Sequence, residues 1–138
     1  MEDLPGVPAR VRLLLDSHAF LWYLLDDDHL PQRVKDLVED PAVHVTVSVT
    51  SQWELMLKAM AGRLRLPDAP ERFLVDLPDE AGFRVIHVQS RHVAALADLP
   101  PIHGDPFDRM LVAQALVEDM DLVTGDETLH RYPVRTLW

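Results

Sequence analysis

Five acids stand where strand-like and helix-like stretches of this chain meet. Asp16 ends the apolar run Val11 to Leu15, and Glu54 lies one helical turn past the β-branched run Val43 to Val49. Asp105 and Asp108 open a helical stretch, and Asp126 follows Leu122-Val123-Thr124-Gly125. Carboxylates gathered at close range repel one another, and one must take a proton unless a cation is present. Hard oxygen ligands in a chain without cysteine point to Mg²⁺, with Mn²⁺ as the second choice. Such an ion can acidify a bound water and clamp the oxygens of a phosphodiester, and a second ion about 4 Å away can serve the leaving group. No protein nucleophile is needed for that chemistry, and the chain offers no obvious triad.

Each acid also has a local structural role. Asp16, or Ser17 after it, can cap the next helix. Glu54 follows Ser51 at the capping-box spacing. Asp105 before Pro106 is a good N-cap, and Asp108 then sits in a first turn favoured by the helix dipole. Gly125-Asp126 is a turn dipeptide. The joint pattern favours a site. Ligands of an open parallel sheet bind outside the carboxyl ends of its strands, and all five acids fall on that edge.

The elements that must place them alternate. Val11 to Leu15 suits a buried parallel strand, and the stretch from His18 is helical, with Phe20, Leu21, Leu24 and Leu25 on one face. Pro31 opens a second helix and Pro41 closes it. Val43 to Val49 is a strand, and Thr50 and Ser51 cap a helix that runs through Ala61 to Gly62. Leu64 to Leu66 is a short extended piece, and a helix begins near Ala69-Pro70-Glu71. Phe83 to Val88 is a strand, and a short helix from Ser90 to Ala97 has Ser90 as its cap. A Pro-rich loop (98–106), a helix (107–119), a strand (122–124), a turn (127–131) and a last strand (134–137) complete the chain. Strands alternating with helices predict a three-layer α/β/α domain with a mainly parallel sheet of about five strands. That domain covers residues 11–138, after an acidic, Pro-rich lead-in over residues 1–10.

The bulk numbers fit. The 138 residues are 48% apolar, enough to bury one core. No apolar run approaches the roughly 20 residues of a membrane span, and residues 1–10 lack the basic flank and apolar core of a signal peptide. Together with the absence of cysteine this reads as a cytoplasmic protein. A formal charge of −10 argues against nucleic acid as a partner. Clustered metal ligands and a local basic face (Lys58, Arg63, Arg65, Arg109) weaken that objection. Among the remaining polar residues, His18 can reach the acids or pack on its helix. His103 can position the loop or meet phosphate. Thr124 and Ser48 can donate to a carboxylate or satisfy local backbone. Trp22, Trp53 and Met56 read as core.

Four stretches carry a likeness: LLLDSHAFLWYL (13–24), SVTSQWELMLKAMAGRLRLP (48–67), HGDPFDRMLVAQA (103–115) and LVTGD (122–126). In this order and spacing the chain resembles PIN-domain proteins, and among them the VapC-type toxins of bacterial toxin–antitoxin pairs. The resemblance implies a PIN-like fold and a Mg²⁺-dependent ribonuclease that cuts cellular RNA. It further implies an antitoxin partner that blocks the groove, and a homodimer. By motif position it implies Asp16, Glu54, Asp108 and Asp126 as the acids and Lys58 as a basic position. Asp105 competes with Asp108 for the third-acid role. Gly125 stands where many relatives carry Arg. On this reading Asp16 and Asp108 bind metal, Glu54 binds through water or orients the attacking water, and Asp126 holds a second ion or a metal-bound water. Lys58, Arg63 and Arg109 steer RNA, with His103 and Thr124 as further contacts. The alternative is a non-catalytic acidic module that binds a partner protein. Another phosphoryl-transfer domain ranks below both, because the chain lacks a DxD nucleophile motif and a phosphate-cradling Gly-rich loop.

Overall fold

Leu13, Leu14 and Leu15 are wholly buried, and they form the middle of the molecule. They belong to β1 (Arg12–Leu15) of a computed structural model that describes residues 11–138. The lead-in read over residues 1–10 lies outside the described residues. A strand buried on both faces must be covered on both, and the two faces of β1 enter two separate cores. Leu13 and Leu15 pack with Phe20, Val34, Leu55 and Leu74. Leu14 packs on the opposite side with Leu111, Val112, Leu122 and Leu129.

Five strands form one sheet in the order β3-β2-β1-β4-β5, and every neighbouring pair is parallel. The others are β2 (His44–Ser48), β3 (Arg84–Ile86), β4 (Asp121–Val123) and β5 (Thr136–Leu137). The first core is covered by α1 (Ser17–Leu24), α2 (Gln32–Glu39) and α3 (Val49–Met60). A π-helical turn (Arg72–Asp76) runs into α4 (Leu77–Glu80) on that same side. The second core lies under α5 (Ser90–Ala95) and α6 (Pro106–Glu118). The three-layer α/β/α reading therefore holds, with a wholly parallel sheet. Among the described residues, no helix is long and apolar enough to cross a membrane.

The order β3-β2-β1-β4-β5 has a reversal in it. The chain builds outward from β1 to β2 and β3, then returns to the other side of β1 for β4 and β5. The connections after β1 and β4 leave in different directions there, which opens a crevice at the carboxyl ends of the two strands.

Several boundaries differ from the sequence expectation. Ser48, not Thr50 or Ser51, caps α3: its backbone is extended and its hydroxyl accepts the Thr50 amide at 3.0 Å. Gln89, not Ser90, caps α5, and its amide donates to His92 Nδ1 at 3.0 Å. Gly62 ends α3 as expected. At φ +72° it lets the Arg63 amide reach the Lys58 carbonyl at 2.9 Å, which closes the helix as a Schellman turn. Trp53 is not core: it is 60% exposed and stands edge-on to Phe107. The inward stripe of α3 is taken by Ser51, Glu54 and Leu55.

Phe20 fixes α1, and therefore Asp16, against the sheet. Phe20→Ala is expected to cost about 3–5 kcal/mol in urea unfolding. A loss under about 1 kcal/mol would mean that this face is not sealed by the ring.

Candidate metal centre

Asp16 continues β1 by donating its amide to the Val123 carbonyl at 3.0 Å, then caps α1 with its side chain, which accepts the Ala19 amide at 2.7 Å. The Thr124 hydroxyl donates to the same carboxylate. Asp16 is only 4% exposed. Burial pushes its pKa up to about 6, the hydrogen bonds from Thr124 and Ala19 and the nearby His18 pull it back in part, and the charge of Asp108 raises it.

Thr124 ties two acids together. Its Oγ1 accepts the Asp126 amide at 3.0 Å while its proton goes to Asp16. The Asp126 side chain accepts the Thr128 amide at 2.9 Å, which sets the turn after β4. Both acids line one cleft of about 410 Å³, with His18, Trp22, His29, Gly125 and Trp138. A Cβ at residue 125 would meet the Trp138 ring at 2.5 Å. The indole therefore leaves no room for a side chain at residue 125.

Glu54 projects inward from α3 and is 8% exposed. Its expected capping-box bond to the start of its own helix is replaced by a contact across the structure. The Ser17 hydroxyl donates to Glu54 Oε1 at 2.5 Å, and Lys58 Nζ stands 3.4 Å from Oε2. Asp105 caps α6 by accepting the Phe107 and Asp108 amides at 2.9 and 3.0 Å. Glu54, Lys58, Arg63 and Asp105 line a second cleft of about 500 Å³.

Asp108 lies between these two groups. Burial raises its pKa. A hydrogen bond with His103 lowers it, and the charges of Asp105 and Glu54 raise it again. His103 Nε2 is 3.1 Å from Asp108 Oδ2, and its Nδ1 is 2.7 Å from the Tyr132 hydroxyl. The Arg109 guanidinium donates to the Pro100 carbonyl at 2.9 Å and to Tyr132 at 3.1 Å. Arg109, expected to steer RNA, thus braces the Pro-rich loop. Sequence reasoning missed Tyr132, which holds His103 and Arg109. It also missed the bond of Ser17 to Glu54. The one available signal for Ser17 was its place beside Asp16 at the strand end.

The charges set what this arrangement can hold. Asp16, Glu54, Asp105 and Asp108 act on one another, directly or in series, and the ion pairs found among them are Glu54–Lys58 and Asp108–His103. Asp16 is buried with neutral donors around it. A divalent cation would supply the missing charge, and the donor set of the acids is all hard oxygen. Among the described residues, no group of three or more Asp, Glu or His side chains is arranged to hold a metal ion. The acids instead line two clefts, Asp16 and Asp126 in one and Glu54 and Asp105 in the other. Mg²⁺ keeps several waters and takes only one or two carboxylates directly, so it would not need all of them in one cage.

Residues 13–134 match the PIN domain family. The chain belongs to the PIN-domain family. It is 30% identical over 124 residues to Ribonuclease VapC22 of Mycobacterium tuberculosis, a match covering 88% of this chain and 93% of that protein. Its fold is similar to a crystal structure of VapBC2 from Rickettsia felis bound to a promoter DNA fragment. That likeness has a TM-score of 0.69 at 12% identity, over 92% of this chain and 98% of the other. It is also similar to VapBC-1 of nontypeable Haemophilus influenzae, with a TM-score of 0.65 at 14% identity, over 92% and 97% of the two chains. The crevice between β1 and β4 is thus the groove of a PIN domain, with Asp16 at its floor.

The pKa of Asp16 makes a stability prediction for the PIN domain in chelator. The folded state holds the Asp16 proton more tightly than the unfolded chain, whose carboxyl titrates at 3.8. Stability is therefore lost as the pH rises from about 4 through about 6. Asn keeps the cap and the hydrogen bonds without the charge. Asp16→Asn is expected to raise unfolding stability by about 3 kcal/mol at pH 7.5. The gain should vanish below pH 4. A destabilised variant at pH 7.5 would contradict the unpaired charge.

Proposed function

We propose that this PIN domain is a metal-dependent endoribonuclease, the toxin of a toxin–antitoxin pair, acting on cellular RNA. The observation that carries this reading is the buried Asp16 carboxylate, held by neutral donors at the crevice between β1 and β4 and coupled to Asp108. The likeness to a ribonuclease of the family supports it. The partner is a cognate antitoxin, a reading supported by the likeness of this fold to solved VapBC structures. The working form is a homodimer.

Asp16 and Asp108 would hold Mg²⁺, or Mn²⁺ in its place, and Asp126 and Glu54 would join through water. When bound, the ion polarises the phosphodiester and makes water a better nucleophile near neutral pH. Ser17 and Lys58 fix the two oxygens of Glu54, so this carboxylate is aimed to orient the attacking water and take its proton. Asp105 presets the start of α6 and so the direction of Asp108. His103 and Tyr132 hold Asp108 from behind. Lys58 and Arg63, in the cleft on the Glu54 side, face the RNA backbone. Hydrolysis adds water across one P–O bond, and no covalent enzyme intermediate is formed.

Incubation of the purified chain with total RNA tests this. Cleavage is expected with Mg²⁺ and none with EDTA. Asp16→Asn should lower the rate about a hundredfold or more, in line with loss of a charge-stabilising group, with an unchanged circular dichroism spectrum. Normal cleavage by that variant would overturn the assignment.

A further inference from the structure

One wall of the Asp16 cleft is aromatic. His18, Trp22 and His29 stack as a column: His18 and Trp22 are 5.4 Å apart at 29°, and Trp22 and His29 are 5.2 Å apart at 25°. The Trp138 indole leans on Trp22 at 5.9 Å. It is held from two sides. Gly125 gives it room, and the Arg33 guanidinium donates to the Trp138 main-chain oxygen. Aromatic clusters of this size usually belong to a core. Here His18 and His29 are exposed, Trp22 and Trp138 are half-buried, and all four line the opening that Asp16 and Asp126 share.

Trp22 stacks with both histidines, so it is the spine of the column. His18 meets Trp22 with one ring face, and its other face has no ring partner among the described residues. The basic pair Lys58 and Arg63 lies in the other cleft, across the acids. Ring faces stand on one side of the carboxylates and cations on the other. A single RNA strand has the matching layout, with flat bases and charged phosphates that can be splayed apart when the strand is unpaired.

We propose that the His18–Trp22–Trp138 wall is a nucleobase subsite. An unpaired base next to the scissile phosphate stacks on His18 and Trp138, and this sets the phosphate over Asp16 and Asp108. The inference rests on the ribonuclease reading above and adds where an unpaired base is held; a paired base is excluded from this wall because its ring faces are already stacked. Every base has a ring face, so recognition here is tolerant of sequence.

Two measurements test it separately from the nuclease reading. The first uses the full chain carrying Trp53→Phe, so that emission comes from Trp22 and Trp138. In EDTA, a short single-stranded oligoribonucleotide should quench that emission, and an RNA duplex should not. His18→Ala should weaken the binding about tenfold, the order of one base stack. His18→Phe, which keeps the ring face without the imidazole, should restore it. The second is cleavage kinetics with Mg²⁺. His18→Ala should raise KM about tenfold with little change in kcat. An abasic residue beside the cut should do the same, with no further loss when the two are combined. Cleavage with no quenching, or with an unchanged KM in His18→Ala, overturns the subsite alone. Quenching without any cleavage by the wild-type chain overturns the nuclease reading and leaves the subsite standing.

Discussion

A carboxylate buried without a cationic partner is the constraint around which this molecule is arranged. Asp16 is the residue at which β1 stops being a strand, and β1 is the strand on which both cores meet. Its side chain cannot swing to solvent without giving up the cap of α1. Burial and the negative charge of Asp108 both oppose its ionisation, and the donors from Thr124 and Ala19, with the charge of the nearby His18, offset only part of that. A lysine in their place would neutralise the charge and strengthen the fold. Hydroxyls and amides direct the carboxylate and leave its charge uncancelled, the state a cation requires. Stability given up at a functional centre is a recurrent trade in proteins.

The same logic runs through the neighbouring groups. Neutral or weakly basic side chains aim each acid: Thr124 for Asp16, Ser17 for Glu54, His103 backed by Tyr132 for Asp108. The strong cations close to the groove are set to one side of it. Lys58 touches Glu54 at the rim, and Arg109 is turned away to brace the Pro-rich loop. On the proposed function, a groove built this way holds RNA more weakly until an ion enters, which would reconcile a net charge of −10 with a nucleic-acid substrate.

Much of this was legible in the chain because the controlling signals are local. The run Leu13 to Leu15 announces a strand buried on both faces. Asp105-Pro106 announces the start of α6. Once the strands are taken as parallel, the acids fall on one edge by geometry alone. Where the sequence misled, neighbouring residues competed for one role. Ser48, Thr50 and Ser51 can each cap a helix, and the winner is the one whose hydroxyl also reaches Gln114, 2.6 Å away and 66 positions on. Trp53 was misplaced because α3 turns an acid inward and a large ring outward, the reverse of the usual pattern. The Ser17–Glu54 bond, the His103–Tyr132 bond and the seating of Trp138 on Gly125 join distant positions, and no periodicity or spacing encodes them.

The central claim concerns the charge on one side chain, and it can be read directly. Carboxyl carbon chemical shifts followed through a pH titration by NMR give the midpoint of Asp16, first in chelator and then in saturating Mg²⁺. The midpoint should lie near 6 without metal. It should fall by more than about one unit when Mg²⁺ binds, as expected for a carboxylate given a cationic partner. A midpoint near the ordinary aspartate value in chelator, unmoved by Mg²⁺, would contradict the account.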